Sequence, residues 1–421
     1  MRGQGMSSDF TKRMVGSLNR NIILVAAFLI MISVVAEAGI IKTGSFTKAT
    51  ANGNQVLAHG LGTTPKAVIF WSTGRNNEAF GTSFHYAFGA TDGTTSRCSS
   101  AASQDNVGTS NASRRISTTP LTFVEWGENV VAEATFVSWN ATNITLNWTT
   151  NNNQAYVIHF VAIGGTDVQA KVIGWTMPTA TGNFSVTGTG FRPDVVIHSH
   201  VGSGYTDALN ASADNAAIAT GVMDTEGAVS SSEILIVDAA GTSDTQRNQR
   251  TDACFTAINN ALGVTKQATL ASMDNNGFTL NFSVANGNAA NAFSLSLKGL
   301  NSHTGAFNKS TAGAPASQTV TGVGFTPTFV FFSSFMDVAQ GAPVDQGRYG
   351  QGASDGTTEG SSTFQDTNGQ GTTSVDSIDK TSKVFVKVDN NTPTINAEAD
   401  LTSFNSNGFT LNWTTNDNVA T

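Results

Sequence analysis

Cysteine, proline and charge are all scarce in this chain of 421 residues. Two cysteines, Cys98 and Cys254, and eight prolines exclude a disulfide scaffold and a proline-rich linker. Only 12% of residues are charged. Coiled coils and helical arrays are thereby excluded, because they are built from Ala, Glu, Lys, Leu and Arg. No basic excess exists either: 22 Lys and Arg face 30 Asp and Glu, for a net charge of −8. A surface that grips polyanions needs the opposite sign, so no nucleic acid partner is expected. The sequence has no Gly-x-Ser-x-Gly elbow, His-Glu-x-x-His pair, acidic calcium loop or phosphate loop ending in Gly-Lys-Ser/Thr. The chain reads as a non-enzyme without cofactor. What is present is 39% apolar residues, 26 Phe and 42 Gly in a background of Thr, Asn and Ser. That mixture suits short β-strands joined by polar turns.

Residues 1–38 read as an address. Arg2, Lys12, Arg13 and Arg20 precede an apolar run from Ile22 to Val35, interrupted only by Ser33 and followed by Ala36-Glu37-Ala38-Gly39. A basic flank, a short apolar stretch and small residues describe a secretory signal peptide cleaved between Ala38 and Gly39. The rival reading is a retained signal-anchor, in which case the protein meets the membrane through this segment alone. Both readings place the remainder outside the cytoplasm, extracellular or at the cell surface. Removing 1–38 takes away four basic residues and two acids, Asp9 and Glu37, and moves the net charge from −8 to −10.

The rest of the chain repeats. Pro65-Lys-Ala-Val-Ile-Phe70 is echoed by Pro193-Asp-Val-Val-Ile-His198 and Pro327-Thr-Phe-Val-Phe-Phe332. Ile144-Thr-Leu-Asn-Trp148 is echoed by Phe278-Thr-Leu-Asn-Phe282 and Phe409-Thr-Leu-Asn-Trp413. An opening strand recurs at Gly44-Ser-Phe46, Gly174-Trp175-Thr and Gly305-Ala-Phe307. The prolines lie 128 and 134 residues apart, and Asn147, Asn281 and Asn412 lie 134 and 131 apart. A period this long exceeds that of solenoid repeats, so each copy is a domain with its own core. The expected modules are 39–167, 168–300 and 301–421. Short linkers between them suggest a stiff rod.

Each module reads as about nine strands. In the first they fall near 40–47, 54–58, 66–72, 82–89, 95–102, 121–126, 131–138, 143–149 and 155–163. Strict alternation at Phe278, Leu280 and Phe282 marks a half-buried strand, and Phe329-Val-Phe-Phe332 one buried on both sides. Asn275-Asn-Gly277 and Asn405-Ser-Asn-Gly408 supply hairpin turns. The fold class is all-β: three tandem antiparallel β-sandwiches, jelly-roll-like, after the signal peptide. The third module lacks the last strand that the others place at Tyr156–Ala162 and Phe293–Leu297. Either the natural chain runs on past Thr421, or a slot is left for a strand from another molecule, including self-association by strand addition.

Few residues stand out as site candidates. His198-Ser-His200 has one-face spacing suited to half a metal site, but it occupies the slots of Phe70 and Ser72, which favours a substituted structural position. The two cysteines fall in different modules and read as buried free thiols. One polar stretch recurs: Gly108-Thr-Ser-Asn-Ala-Ser-Arg114-Arg115 and Gly241-Thr-Ser-Asp-Thr-Gln-Arg247. On a polar loop, Arg114, Arg115 and Arg247 could grip a carboxylate or a sugar; the competing reading is a solvated loop charge.

The Pro-headed apolar strand and the closing Gly-Phe-Thr-Leu-Asn-Trp-Thr hairpin resemble the tandem β-modules of uncharacterised secreted, cell-surface and phage tail-associated proteins. The order ending in Ala162-Ile-Gly164 is also loosely similar to H-type lectins, over about half of each module. The resemblance implies an exported structural or adhesion protein, since repetition multiplies weak contacts. The alternatives it leaves are a carbohydrate-binding array that takes glycans and a virion or tail-fibre protein. Other surface proteins are further expected partners.

Overall fold

The computed structural model describes residues 39–203, 208–338 and 341–421; Ala38 and the rest of the N-terminal segment lie outside them. The described residues contain 31 strands and no helix, so the all-β expectation holds. They form three sandwiches, each a large sheet facing a four-stranded one.

In the first sandwich the large sheet runs, in spatial order, Ile40–Thr47, Val157–Gly164, Pro65–Ser72, Phe84–Thr91, Ser96–Ser103 and Ala112–Ser117. Its small sheet runs Gly53–Ala58, Asn143–Thr150, Val130–Trp139 and Leu121–Val124. The second sandwich repeats both orders with Gln169–Thr176, Asn291–Lys298, Val195–His200, Ala216–Asp224, Val229–Ile236 and Thr245–Arg250 over Gly182–Thr187, Gly277–Val284, Val264–Asp274 and Phe255–Ile258. Close packing fixes one glycine per copy. A Cβ on Gly89, Gly221 or Gly352 would lie 1.8–2.1 Å from the carbonyl oxygen of Pro120, Cys254 or Val384 in the crossing segment.

The third sandwich keeps Val330–Ser334, Gly347–Ser354, Glu359–Asp366 and Val375–Lys380 over Ala316–Thr321, Gly408–Thr415, Ile395–Asn405 and Phe385–Val388. Among the described residues it has neither a closing strand nor an opening one. The expected opening strand at Gly305–Phe307 is absent among the described residues, contrary to the repeat. The reason is pairing: Ile40–Thr47 and Gln169–Thr176 hydrogen-bond only to the closing strands Val157–Gly164 and Asn291–Lys298. Without a closing strand the opening segment has no ladder to join. Thr421 occupies the place of Tyr156 and Ala290, since all three carbonyls accept a backbone N–H at 2.8 Å, from Lys309, Lys48 and Met177 respectively.

The expected rod is replaced by a closed circuit. Each large sheet gains a short edge strand from another sandwich: Ser212–Asp214 of the second pairs with the first, Val344–Asp345 of the third with the second, and Gly81–Thr82 of the first with the third. The described residues from Gly39 to Thr421 accordingly belong to one compact unit. Each sandwich has its own core, around Trp148, Phe255 and Trp413. The outer faces of the large sheets build a further core shared by all three, including Tyr86, Phe88, Ile218, Ile234, Tyr349 and Phe364. At its centre Tyr349 Oη donates to Thr220 Oγ1 at 2.6 Å, and Gln351 Nε2 reaches Thr220 Oγ1 at 3.0 Å and Tyr349 Oη at 2.8 Å. Tyr86 donates its hydroxyl to Gln351. Large sheets buried on both faces explain why their strands read as apolar or small throughout.

Candidate functional site

The recurring polar stretch is a clasp between sandwiches. Ser110 exchanges backbone hydrogen bonds with Ala239 and Ala240, and its Oγ donates to Val237 O at 2.7 Å. Ser243 repeats this on Thr367, Gly369 and Gln370, and Thr373 repeats it on Gln104, Asn106 and Val107. A side-chain oxygen then caps the strand start in each: Asp238 accepts from Ala112 N, Asn368 from Thr245 N and Asp105 from Val375 N, at 2.7–2.8 Å.

Arg114, Arg115 and Arg247 do not sit on a loop. They lie on the strands Ala112–Ser117 and Thr245–Arg250, next to the donated edge strands, and Arg114 and Arg247 are 2% and 4% exposed. The reading as solvated loop charges is therefore corrected. Arg114 donates to the carbonyls of Asp214 and Asn215 in the second sandwich. Arg247 Nη1 donates to Asp345 O and Gln346 O, both at 2.7 Å, and its Nη2 pairs with Asp337 at 2.7 Å. Ser377 takes the same place in the third sandwich, donating to Ser83 O at 2.7 Å. Asn215, Gln346 and Ser83 all hold positive φ, of 66°, 81° and 62°, and mark where each donated strand turns. Arg115 is half-buried and reaches Ser117 and Ser212 through Nε and Nη1 at 3.0 and 3.4 Å. A cleft of about 350 Å³ opens beside Arg114, lined by Asp214, Asn215, Val237, Asp238 and Ala239.

His198 and His200 are buried, with His198 Nδ1 on Ser294 Oγ at 2.8 Å and His200 Nε2 on Thr256 O at 2.9 Å. Burial pushes both imidazoles down to about 3. They stay neutral and pack on Phe255. Cys98 and Cys254 are buried free thiols, pushed up by burial to about 11 and about 12. Glu233 is sealed between the sheets, where burial raises its carboxyl well above the usual range. The slots equivalent to it hold Ser100 and Thr363, whose hydroxyls donate to Thr122 O and Val386 O.

A second set of residues escaped the sequence reading. Asp224 ends its strand, Asp92 and Asp355 directly follow the equivalent strands, and all three face two ways. Their Oδ1 atoms cap the following turn, accepting from Thr94 and Thr95 N, from Glu226 and Ala228 N, and from Thr357 and Thr358 N. Their Oδ2 atoms accept a backbone N–H from another sandwich: Val172 at 2.9 Å, Thr304 at 2.6 Å and Thr43 at 3.2 Å. Burial alone would raise the Asp92 and Asp355 carboxyls, but these donors outweigh it and hold both below their usual range. The signal was legible, because Asp92-Gly-Thr-Thr95 recurs verbatim as Asp355-Gly-Thr-Thr358.

No family model, curated protein or solved structure matches the chain.

Proposed function

We propose that the chain is an exported, non-enzymatic structural or adhesion protein of the cell surface or extracellular space, and that copies of it join through the third sandwich. The bare edge of Val330–Ser334 carries this reading. Among the described residues no strand pairs with that edge, whereas the equivalent strands Pro65–Ser72 and Val195–His200 are each flanked by a closing strand. Phe332 is left half-buried there, while Phe70 and His198 in the other copies are buried. An unpaired edge with aromatic flanks is a template for another strand. Two copies presenting it can pair antiparallel, the same patch on each. The engagement of Arg114, Arg247, His198 and His200 in internal hydrogen bonds supports a structural role over a catalytic one.

Sedimentation of the full chain tests the reading. Concentration-dependent dimers are expected, dispersed by a synthetic peptide of the sequence Asn291–Lys298 and not by the same peptide carrying a central proline. A chain that stays monomeric, or an association the peptide leaves intact, overturns it. A longer natural chain whose own residues fill the edge and exclude the peptide overturns it equally.

A further inference from the structure

The three interface aspartates are equivalent in the backbone contacts they make but not in the cation they face. Lys171 Nζ lies 3.2 Å from Asp92 Oδ2, and Lys42 Nζ lies 3.4 Å from Asp355 Oδ2. Each is the residue just before the strand N–H that the same oxygen accepts. At the third position that residue is His303, preceding Thr304. The turn there is also one residue longer, Asp224-Thr-Glu-Gly-Ala228, and the addition presents Glu226. The lysine ammonium is thus replaced by a second carboxylate and an imidazole. Donor atoms of Asp224, Glu226 and His303 all lie within 4.8 Å of one another, and Glu226 Oε2 is 3.3 Å from His303 Nδ1.

We propose that Asp224, Glu226 and His303 hold a divalent transition-metal ion of the zinc class, standing where the other two copies place a lysine ammonium. Charge favours it: one carboxylate and one ammonium balance in the first and third copies, and two carboxylates with a neutral imidazole balance a divalent cation in the second. Geometry agrees for the Glu226–His303 pair at 3.3 Å, since two ligands held about 2.0–2.1 Å from a tetrahedral zinc lie roughly 3.3–3.4 Å apart, and the Asp224 oxygen lies within 4.8 Å of both. A histidine with two carboxylates selects zinc-class ions over calcium or magnesium, which prefer all-oxygen shells. The buried Asp224 anchors the set, and the exposed Glu226 and His303 leave a coordination position open to water. The ion would tie the opening segment of the third sandwich to the second, a tie that matters most where that segment has no ladder.

Titration of the full chain with zinc chloride, followed by calorimetry and by melting temperature, tests the proposal. One zinc per chain is expected, with a rise in melting temperature. His303→Lys restores the lysine–aspartate pair of the other copies, so it is expected to fold normally and to lose zinc binding by at least about 10-fold. Glu226→Gln is expected to weaken binding without changing the metal-free melting temperature. Wild-type protein that binds no zinc overturns the proposal. Zinc bound equally by wild type and His303→Lys shows adventitious surface binding only and overturns it too.

Discussion

The junction from the first sandwich to the second and the junction from the third back to the first share one backbone geometry and differ in chemistry. In the first, Arg114 reaches across and Ile116 packs in the shared core with Val201. In the other, Ser377 replaces the arginine and Asp379 replaces the isoleucine. Asp379 is buried and accepts from Thr73 N at 3.2 Å, Thr73 Oγ1 at 2.9 Å and Arg75 N at 3.3 Å, as well as from Ser362 Oγ, with His159 Nε2 3.7 Å away. The middle junction has Gln249 there, whose Oε1 accepts Phe335 N at 3.2 Å. Conserved backbone contacts set the arrangement, and side chains in equivalent slots then solve the same burial problem by dispersion, by amide or by charge. The solutions should fail differently.

The largest contrast is between Asp379 and Gln249. Asp379→Ala leaves several buried donors without an acceptor, and is expected to cost about 3–5 kcal/mol. Gln249→Ala removes a single acceptor and is expected to cost about 1–2 kcal/mol. Urea denaturation midpoints check this. Equal costs would show that the closing junction is no more dependent on its charge than the middle one is on its amide.

The next contrast is in pH. Asp366 in the third sandwich is buried and accepts Ser103 Oγ of the first at 2.6 Å, where the second sandwich has Ile236. Burial, partly offset by Ser103, pushes this carboxyl from 3.8 up to about 7. A raised folded-state value means that the native protein holds the proton more tightly than the unfolded chain. Its contribution is therefore full below about pH 4, falls as pH rises toward 7, and is gone above it. About three units of difference set an upper bound of roughly 4 kcal/mol over that window. Asp366→Asn is expected to flatten the stability–pH curve between pH 4 and 7 relative to wild type. An unchanged slope would place the titration elsewhere.

How much of this was readable in advance follows from what each segment is buried against. Phe278-Thr-Leu-Asn-Phe282 buries against its own sandwich, so its period-two pattern and turn glycine sufficed to find it, and Pro65–Ser72, buried on both faces, showed as the apolar run Ala67–Trp71. The strands Ala112–Ser117 and Thr245–Arg250 read as loops because they carry Arg, Asn and Gln. Their arginines are satisfied by another sandwich some 100 residues away in sequence, which no local window contains. The donated strands of two or three residues are too short for any periodicity. The repeat predicted three copies and, with short linkers, a rod. Closure depended on Asp92, Asp224 and Asp355, whose second carboxylate oxygen serves a contact that only the folded chain brings into range.

The smallest effect bears on the candidate site itself. Arg114 and Ser377 hold equivalent donated turns, one with a guanidinium and the other with a hydroxyl. Charge-assisted bonds to buried carbonyls contribute about 1.5–3 kcal/mol and a neutral one about 1 kcal/mol. Arg114→Ala is therefore expected to cost about twice as much stability as Ser377→Ala. Arg114→Lys is expected to recover only part of it, because an ammonium can replace the Nη1 bonds to the two carbonyls but lacks the guanidinium's further donors and its planar packing. If Arg114 served mainly to grip a ligand in its 350 Å³ cleft, Arg114→Ala would leave the melting temperature unchanged. A drop larger than that of Ser377→Ala assigns the guanidinium to holding the circuit shut.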